Sequence, residues 1–161
     1  MRLEYFQLID RIIDLNLTDL TIRVEATVPT ESTIFEGHFP GRPLMPGVLL
    51  IESMAQASGW LLIARNRFEK MPFLAAVKEA KLRTFVTPGQ ALTLSAKIMH
   101  EGSGFAMTEA EVAVGGKTVC NADITFRIVD FPKGEFLDNM HAVAKRIGLS
   151  LEAAVHGDVH G

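Results

Sequence analysis

Hydrophobic and polar positions divide the chain into stretches of clearly different period. Near the N-terminus, Tyr5, Phe6, Leu8, Ile9, Ile12 and Ile13 recur at three- and four-residue steps among Arg2, Glu4, Asp10, Arg11 and Asp14, which predicts a helix. Period two follows, with Leu20, Ile22, Val24 and Ala26 on one parity and Thr21, Arg23 and Glu25 on the other, the pattern of a short strand. Residues 30–46 carry Pro40, Pro43, Pro46, Gly37 and Gly41 and read as a loop. From 46 to about 68 the spacing is helical again and apolar on all sides, which places that helix inside the protein. Pro46 suits its first turn, where a missing N–H is no loss.

Strands are expected after Pro72. Leu92, Leu94, Ala96 and Ile98 alternate with polar neighbours, as do Ala110, Val112 and Val114, and then Cys120, Ala122, Ile124, Phe126 and Ile128. Glycines at 102, 104, 115 and 116 mark hairpin turns between them. Strict alternation implies an antiparallel sheet with one buried face, and the apolar helix is what that face packs on. The predicted fold class is α+β, a curved antiparallel sheet wrapped around a central apolar helix. Pro132 and Gly134 break the last strand, and Phe136, Leu137, Met140, Val143, Ala144 and Ile147 return to helical spacing. The chain thus divides into a domain at 1–130 and a helical extension at 131–161, whose last residues, 154–161, read as frayed.

Composition narrows the function classes. The 161 residues are one domain's worth, and 48% hydrophobic with 22% charged residues is the balance of a globular protein. A net charge of −3 and a pI near 5.9 argue against a nucleic-acid binder. One cysteine, Cys120, makes neither an intrachain disulfide nor a cysteine-rich zinc site, so a reduced, cytoplasmic protein is expected. The N-terminus mixes charge into its apolar pattern, unlike a signal peptide, and the uncharged run at 53–64 is too short to span a bilayer.

Candidate chemistry concentrates between Gly37 and Gln56. His38 sits in a proline-constrained loop, Gly47 opens the apolar helix with an unpaired N–H at its positive end, and Glu52 follows inside the helix with Gln56 one turn later. A carboxyl among apolar side chains is expensive to ionise, which favours a proton-donating form. A base, an acid and an oriented N–H donor are what elimination β to a carbonyl requires. Each residue also has a plainer reading: Glu52 paired with a buried cation, His38 as a loop residue, Gly47 as a packing position.

Together these residues resemble the 3-hydroxyacyl-(acyl-carrier-protein) dehydratases of bacterial type II fatty-acid synthesis, which have the hot-dog fold. The family's pattern is met by His38, Phe39, Pro40, Pro43, Met45, Pro46, Gly47, Val48, Glu52, Met54, Ala55 and Gln56, with the family's 14-residue step from His38 to Glu52. Weaker likeness runs from about residue 5 to 130. The resemblance implies that His38 removes a C2 proton, that Glu52 protonates the departing C3 hydroxyl, and that the Gly47 N–H polarises the thioester carbonyl. Gln56, Phe39 and Pro46 would support them. It implies a homodimer in which each site takes its His and its Glu from different subunits, and assembly into a trimer of dimers. It implies no metal or organic cofactor, the acyl group riding on the phosphopantetheine of an acyl carrier protein.

Leu49, Met54, Met71, Phe73, Phe85 and Met107 are candidate walls of an acyl tunnel. Arg42, Lys78, Lys81, Arg83 and Lys97 are candidates for docking an acidic carrier. Glu at position 52, where related dehydratase/isomerases carry Asp, favours dehydration without isomerisation. The tail and the segment His100-Glu-Gly-Ser-Gly-Phe-Ala106 look like a specialised branch handling long hydroxyacyl chains for lipid A. The competing readings are a hot-dog acyl thioesterase and a non-catalytic acyl-carrier-binding subunit.

Overall fold

A computed structural model describes residues 1–149 and 158–160. Two strands open it, β1 (Arg11–Asn16) and β2 (Thr21–Thr27), followed by a short helix α1 (Thr33–Gly37) and the long helix α2 (Gly47–Arg65). Then come β3 (Lys70–Leu82), β4 (Ala91–Gly102), β5 (Phe105–Val114), β6 (Lys117–Asp130), helix α3 (Glu135–Arg146) and a terminal strand β7 (Asp158–His160). The strands form one antiparallel sheet in the order β3-β6-β5-β4-β2-β1-β7.

Side-chain parity sets the layering. Ile22, Val24 and Ala26 of β2, Leu92, Leu94, Ala96 and Ile98 of β4, and Ala122, Ile124 and Phe126 of β6 are all buried on the inner face. Helix α2 packs across that face against β2 through β6. Met54, Ala57, Leu61, Leu62 and Ala64 have no exposed surface at all, as expected for a core helix. By length and composition α2 could cross a membrane, but two-thirds of it is buried within the fold. Pro46 stands at its N-cap, one place before the predicted first turn. Gly115 and Gly116, both at positive φ, make the tight β5–β6 connection, a conformation for which a side chain is costly.

The N-terminal helix expected from the periodicity does not form. Leu3–Tyr5 makes one 3-10 turn, and residues 11–16 are strand β1. A bulge between Ile12 and Asp14 breaks the parity of β1, so its buried residues, Ile12 and Leu15, stand three apart. That spacing imitates a helical stripe. The C-terminal helix does form, as α3. Of the expected frayed end, residues 154–157 and 161 lie outside the described residues, whereas 158–160 pair with β1 rather than fray.

Candidate active site

Helix α2 carries Glu52 on its second turn. Steps of four residues place Val48, Glu52 and Gln56 on one stripe, and the sheet does not cover it: Val48 is 71% exposed, while Glu52 and Gln56 are half-buried. The full burial expected for Glu52 is therefore not met within one chain. Gln56 fixes the carboxylate. Its Nε2 donates to Glu52 Oε1 at 3.3 Å and to the Phe6 carbonyl at 2.9 Å, while its Oε1 accepts the Leu8 N–H at 3.2 Å. Both amide hydrogens and the oxygen are used, so turning the amide over would set its NH2 against the Leu8 N–H. The N-terminal segment thereby holds Gln56, and Gln56 holds Glu52.

Glu52 lines a cavity of about 380 Å³, within the usual range for small-ligand sites. Along α2 its wall is Glu52, Ala55, Gln56, Gly59, Trp60 and Ile63, so the carboxylate lies at the end nearest the helix N-terminus. Phe6 from the N-terminal segment, Met71 and Leu74 from β3, Phe126 from β6, and Met140, Val143 and the cation Arg146 from α3 are among its other wall residues. The lining is predominantly apolar.

His38 follows α1 directly. Ser32 caps that helix, its hydroxyl accepting the Ile34 N–H at 3.2 Å and donating to Glu4 at 2.6 Å. The Ser32 hydroxyl, with backbone N–H donors, holds the Glu4 carboxyl below the usual range. The His38 ring stacks on Phe39 with centroids 4.1 Å apart, across a cis peptide, and its Nδ1 lies 3.4 Å from the Leu44 carbonyl. With Nδ1–H donating there, Nε2 is left as the basic nitrogen. His38 does not line the cavity of Glu52; Phe39 borders a separate open depression with Gly41 and Pro43. One chain does not bring the two residues together in a single cavity.

Gly47 is the first residue of α2, and its N–H has no intrahelical acceptor. A Cβ there would overlap Leu82 Cδ1 at the end of β3, so the packing reading of this glycine has a physical basis alongside the chemical one.

The apolar candidates separate. Met71 lines the cavity, Met54 is wholly core, Leu49 is half-buried, and Phe73, Phe85 and Met107 are exposed. Arg42, Lys78, Lys81, Arg83 and Lys97 are all exposed. Lys81, Arg83 and Lys97 border a broad groove on the outer sheet face, where Glu79, Glu109, Glu111 and Asp123 stand among them. Sequence reasoning missed Phe6, Trp60, Met140 and Val143 as site residues. Their apolar spacing was visible, but which cavity they would face was not.

Burial pushes the Cys120 thiol up to about 11, so it is no nucleophile at neutral pH. Among the described residues no group of three His, Cys, Asp or Glu side chains could hold a metal ion.

A family model described as a FabA-like domain matches residues 2–123. A 3-hydroxyacyl-(acyl-carrier-protein) dehydratase FabZ from Lactiplantibacillus plantarum is 39% identical over 118 residues, 73% of this chain and 80% of that protein. Among solved structures, a hypothetical thioesterase with coenzyme A from Streptococcus pneumoniae superposes with a TM-score of 0.61 at 15% identity, covering 76% of this chain and 88% of that one. A dehydratase heterocomplex from Xenorhabdus doucetiae gives 0.59 at 18% identity, covering 84% and 89%. The structural likenesses establish the hot-dog fold. The match of the family model and the identity to curated relatives establish that this chain belongs to the FabA-like family of 3-hydroxyacyl-(acyl-carrier-protein) dehydratases.

Proposed function

We propose that this chain converts 3-hydroxyacyl thioesters on acyl carrier protein to trans-2-enoyl thioesters, with His38 as base and Glu52 as acid. The observation that carries the residue roles is the Glu52–Gln56 pair at one end of an apolar cavity, a proton donor beside room for an acyl chain. His38 Nε2 takes a proton from C2, and charge builds on the thioester oxygen, where the Gly47 N–H is the donor. The C3–O bond breaks as Glu52 delivers its proton to the hydroxyl, and water leaves. The proton on His38 then returns to the Glu52 carboxylate, and the site is reset. Such a step needs only a base, an acid and a hydrogen-bond donor, so no metal or organic cofactor enters.

His38 lies outside the cavity of Glu52, which supports a site completed by a second copy of the chain. Edge strand β3 leaves Phe73, Leu74, Val77 and Leu82 exposed, an apolar edge suited to pairing with another copy. Dimers could assemble further, to a trimer of dimers. Residues 1–130 are the catalytic domain and 131–161 an extension, and the enzyme works in the cytoplasm.

Enoyl formation from a 3-hydroxyacyl carrier protein, followed by absorbance of the conjugated thioester, tests the roles. His38→Ala and Glu52→Gln should each lower turnover by about a hundredfold or more. Unchanged turnover in either variant would sink the assignment, and release of free thiol in place of enoyl product would make the protein a thioesterase.

A further inference from the structure

The FabA-like match ends at residue 123, yet five residues beyond it, Phe126 of β6, Met140, Val143 and Arg146 of α3 and Ile147 just past that helix, form part of the wall of the cavity that Glu52 opens onto. Both ends of α3 are fastened. At its start Phe136 meets Phe131 with ring centroids 5.8 Å apart, and midway along it His141 stacks on Phe68 at 4.4 Å. Just past its end, the Ile147 carbonyl accepts the Ile12 N–H at 2.7 Å. Phe68 in turn bonds through its N–H to the carbonyl of Ile63, the last residue of α2 on the cavity wall. Of the wall residues supplied by α3 and its C-terminal flank, Met140 is nearest in sequence to the ring cluster beside Ile63 and Ile147 nearest to the bond with Ile12, which orders Met140 on the Ile63 side of the cavity.

We propose that α3 is the acyl-chain ruler of this enzyme, with Met140 as the residue that stops the chain's far end. The inference rests on the dehydratase reading for what occupies the cavity. Glu52 is the most N-terminal residue of α2 on the wall and Ile63 the most C-terminal, so a chain whose C3 lies at Glu52 extends along the helix toward Ile63. At 1.5 Å of rise per residue that path is about 16 Å. Carbon–carbon bonds of about 1.5 Å advance an extended alkyl chain by roughly 1.3 Å per atom, so about a dozen carbons beyond C3 fit before Met140. The ligand class is a medium- to long-chain 3-hydroxyacyl group with an apolar terminus.

The test compares wild type, Met140→Trp and Met140→Ala, each verified as folded by circular dichroism. Turnover of six-, ten- and fourteen-carbon 3-hydroxyacyl carrier proteins is measured together with calorimetric binding of non-reactive alkyl-phosphopantetheine thioethers of the same lengths. In Met140→Trp the ratio of fourteen- to six-carbon kcat/KM, and the matching ratio of affinities, should fall at least tenfold. In Met140→Ala both ratios should hold or rise, and the length limit should move outward. Ratios unmoved in both variants, or moved alike at every length, would overturn the ruler. Wild type that binds the thioethers with this length dependence but forms no enoyl product would refute the dehydratase reading and leave the ruler standing.

Discussion

Mixing two inactive variants decides whether His38 and Glu52 meet across two chains. Take His38→Ala, which keeps Glu52, and Glu52→Gln, which keeps His38 and, through Gln's amide, a group that can still face Gln56. Each homodimer lacks one group in both sites, and each should retain no more than about 1% of wild-type turnover. If the site is shared, a symmetric dimer has two equivalent sites, each drawing its His from one subunit and its Glu from the other. In a heterodimer one site collects both substitutions, and the other collects both native residues. Random pairing of equal amounts makes about half of the dimers mixed, with one sound site in two, so activity should reach about one quarter of wild type. The assay is enoyl formation by co-expressed, differently tagged subunits, with the heterodimer isolated over both tags and expected at about one half. Within one chain, Glu52 lines the cavity and His38 does not. If mixed dimers stay at the level of the separate variants, the pair acts within one chain or does not act at all.

Three further outcomes follow from the packing. Gly47→Ala drives a Cβ into the Leu82 side chain, an overpacking worth about 1–3 kcal/mol and toward the lower figure because Leu82 is half exposed and can turn. Urea unfolding at fixed protein concentration should show Leu82→Ala recovering part of the loss in the double variant. Ser58 and Thr108 share one hydrogen bond of 2.8 Å with no exposure at either residue. Ser58→Ala alone should cost about 1–3 kcal/mol by orphaning the Thr108 hydroxyl, whereas adding Thr108→Val should recover some of it. Cys120, held protonated by burial up to about 11 against an ordinary value of 9.0, binds its proton more tightly folded than unfolded. Stability should therefore fall as pH rises from about 9 through 11, a slope that Cys120→Ala flattens, and the native thiol should react with disulfide reagents only on unfolding.

Legibility in the sequence followed the number of neighbours a residue needs to be explained. Strands β2, β4, β5 and β6 were readable because period-two burial is a property of the strand itself. The helix α2 was readable from composition, and α3 from spacing. The N-terminal strand was not, because one bulge converted its parity into a spacing of three. At the site, the motif placed His38, Gly47, Glu52 and Gln56 together in order, and Gln56 does hold the Glu52 carboxylate. What the spacing could not convey was that Gln56 also grips the backbone of Phe6 and Leu8, nearly fifty residues away. Nor could it place Met140 and Val143 on the same cavity as α2, since the position of α3 depends on the ring cluster of Phe68, Phe131, Phe136 and His141.

The exposed stripe on α2 turns one of these sequence rules into an argument about assembly. A helix apolar on all sides belongs in an interior, yet the chain's own sheet covers only one side of α2 and leaves Val48 71% exposed, with Glu52 and Gln56 half-buried beside it. Edge strand β3 repeats the mismatch with Phe73, Leu74, Val77 and Leu82. Both surfaces are covered at once if a second copy lies against α2 and β3, and a shared site requires that copy to bring its His38 to Glu52. Desolvation of the Glu52 carboxyl would then come from assembly rather than from folding of one chain. In that arrangement acid catalysis and dimer formation are coupled: Val77→Glu, which sets a charge on edge strand β3 outside the cavity wall, should shift the dimer toward monomer in sedimentation. Turnover should fall in proportion to the dimer fraction and return as protein concentration rises. Full turnover by a sedimenting monomer would break that coupling.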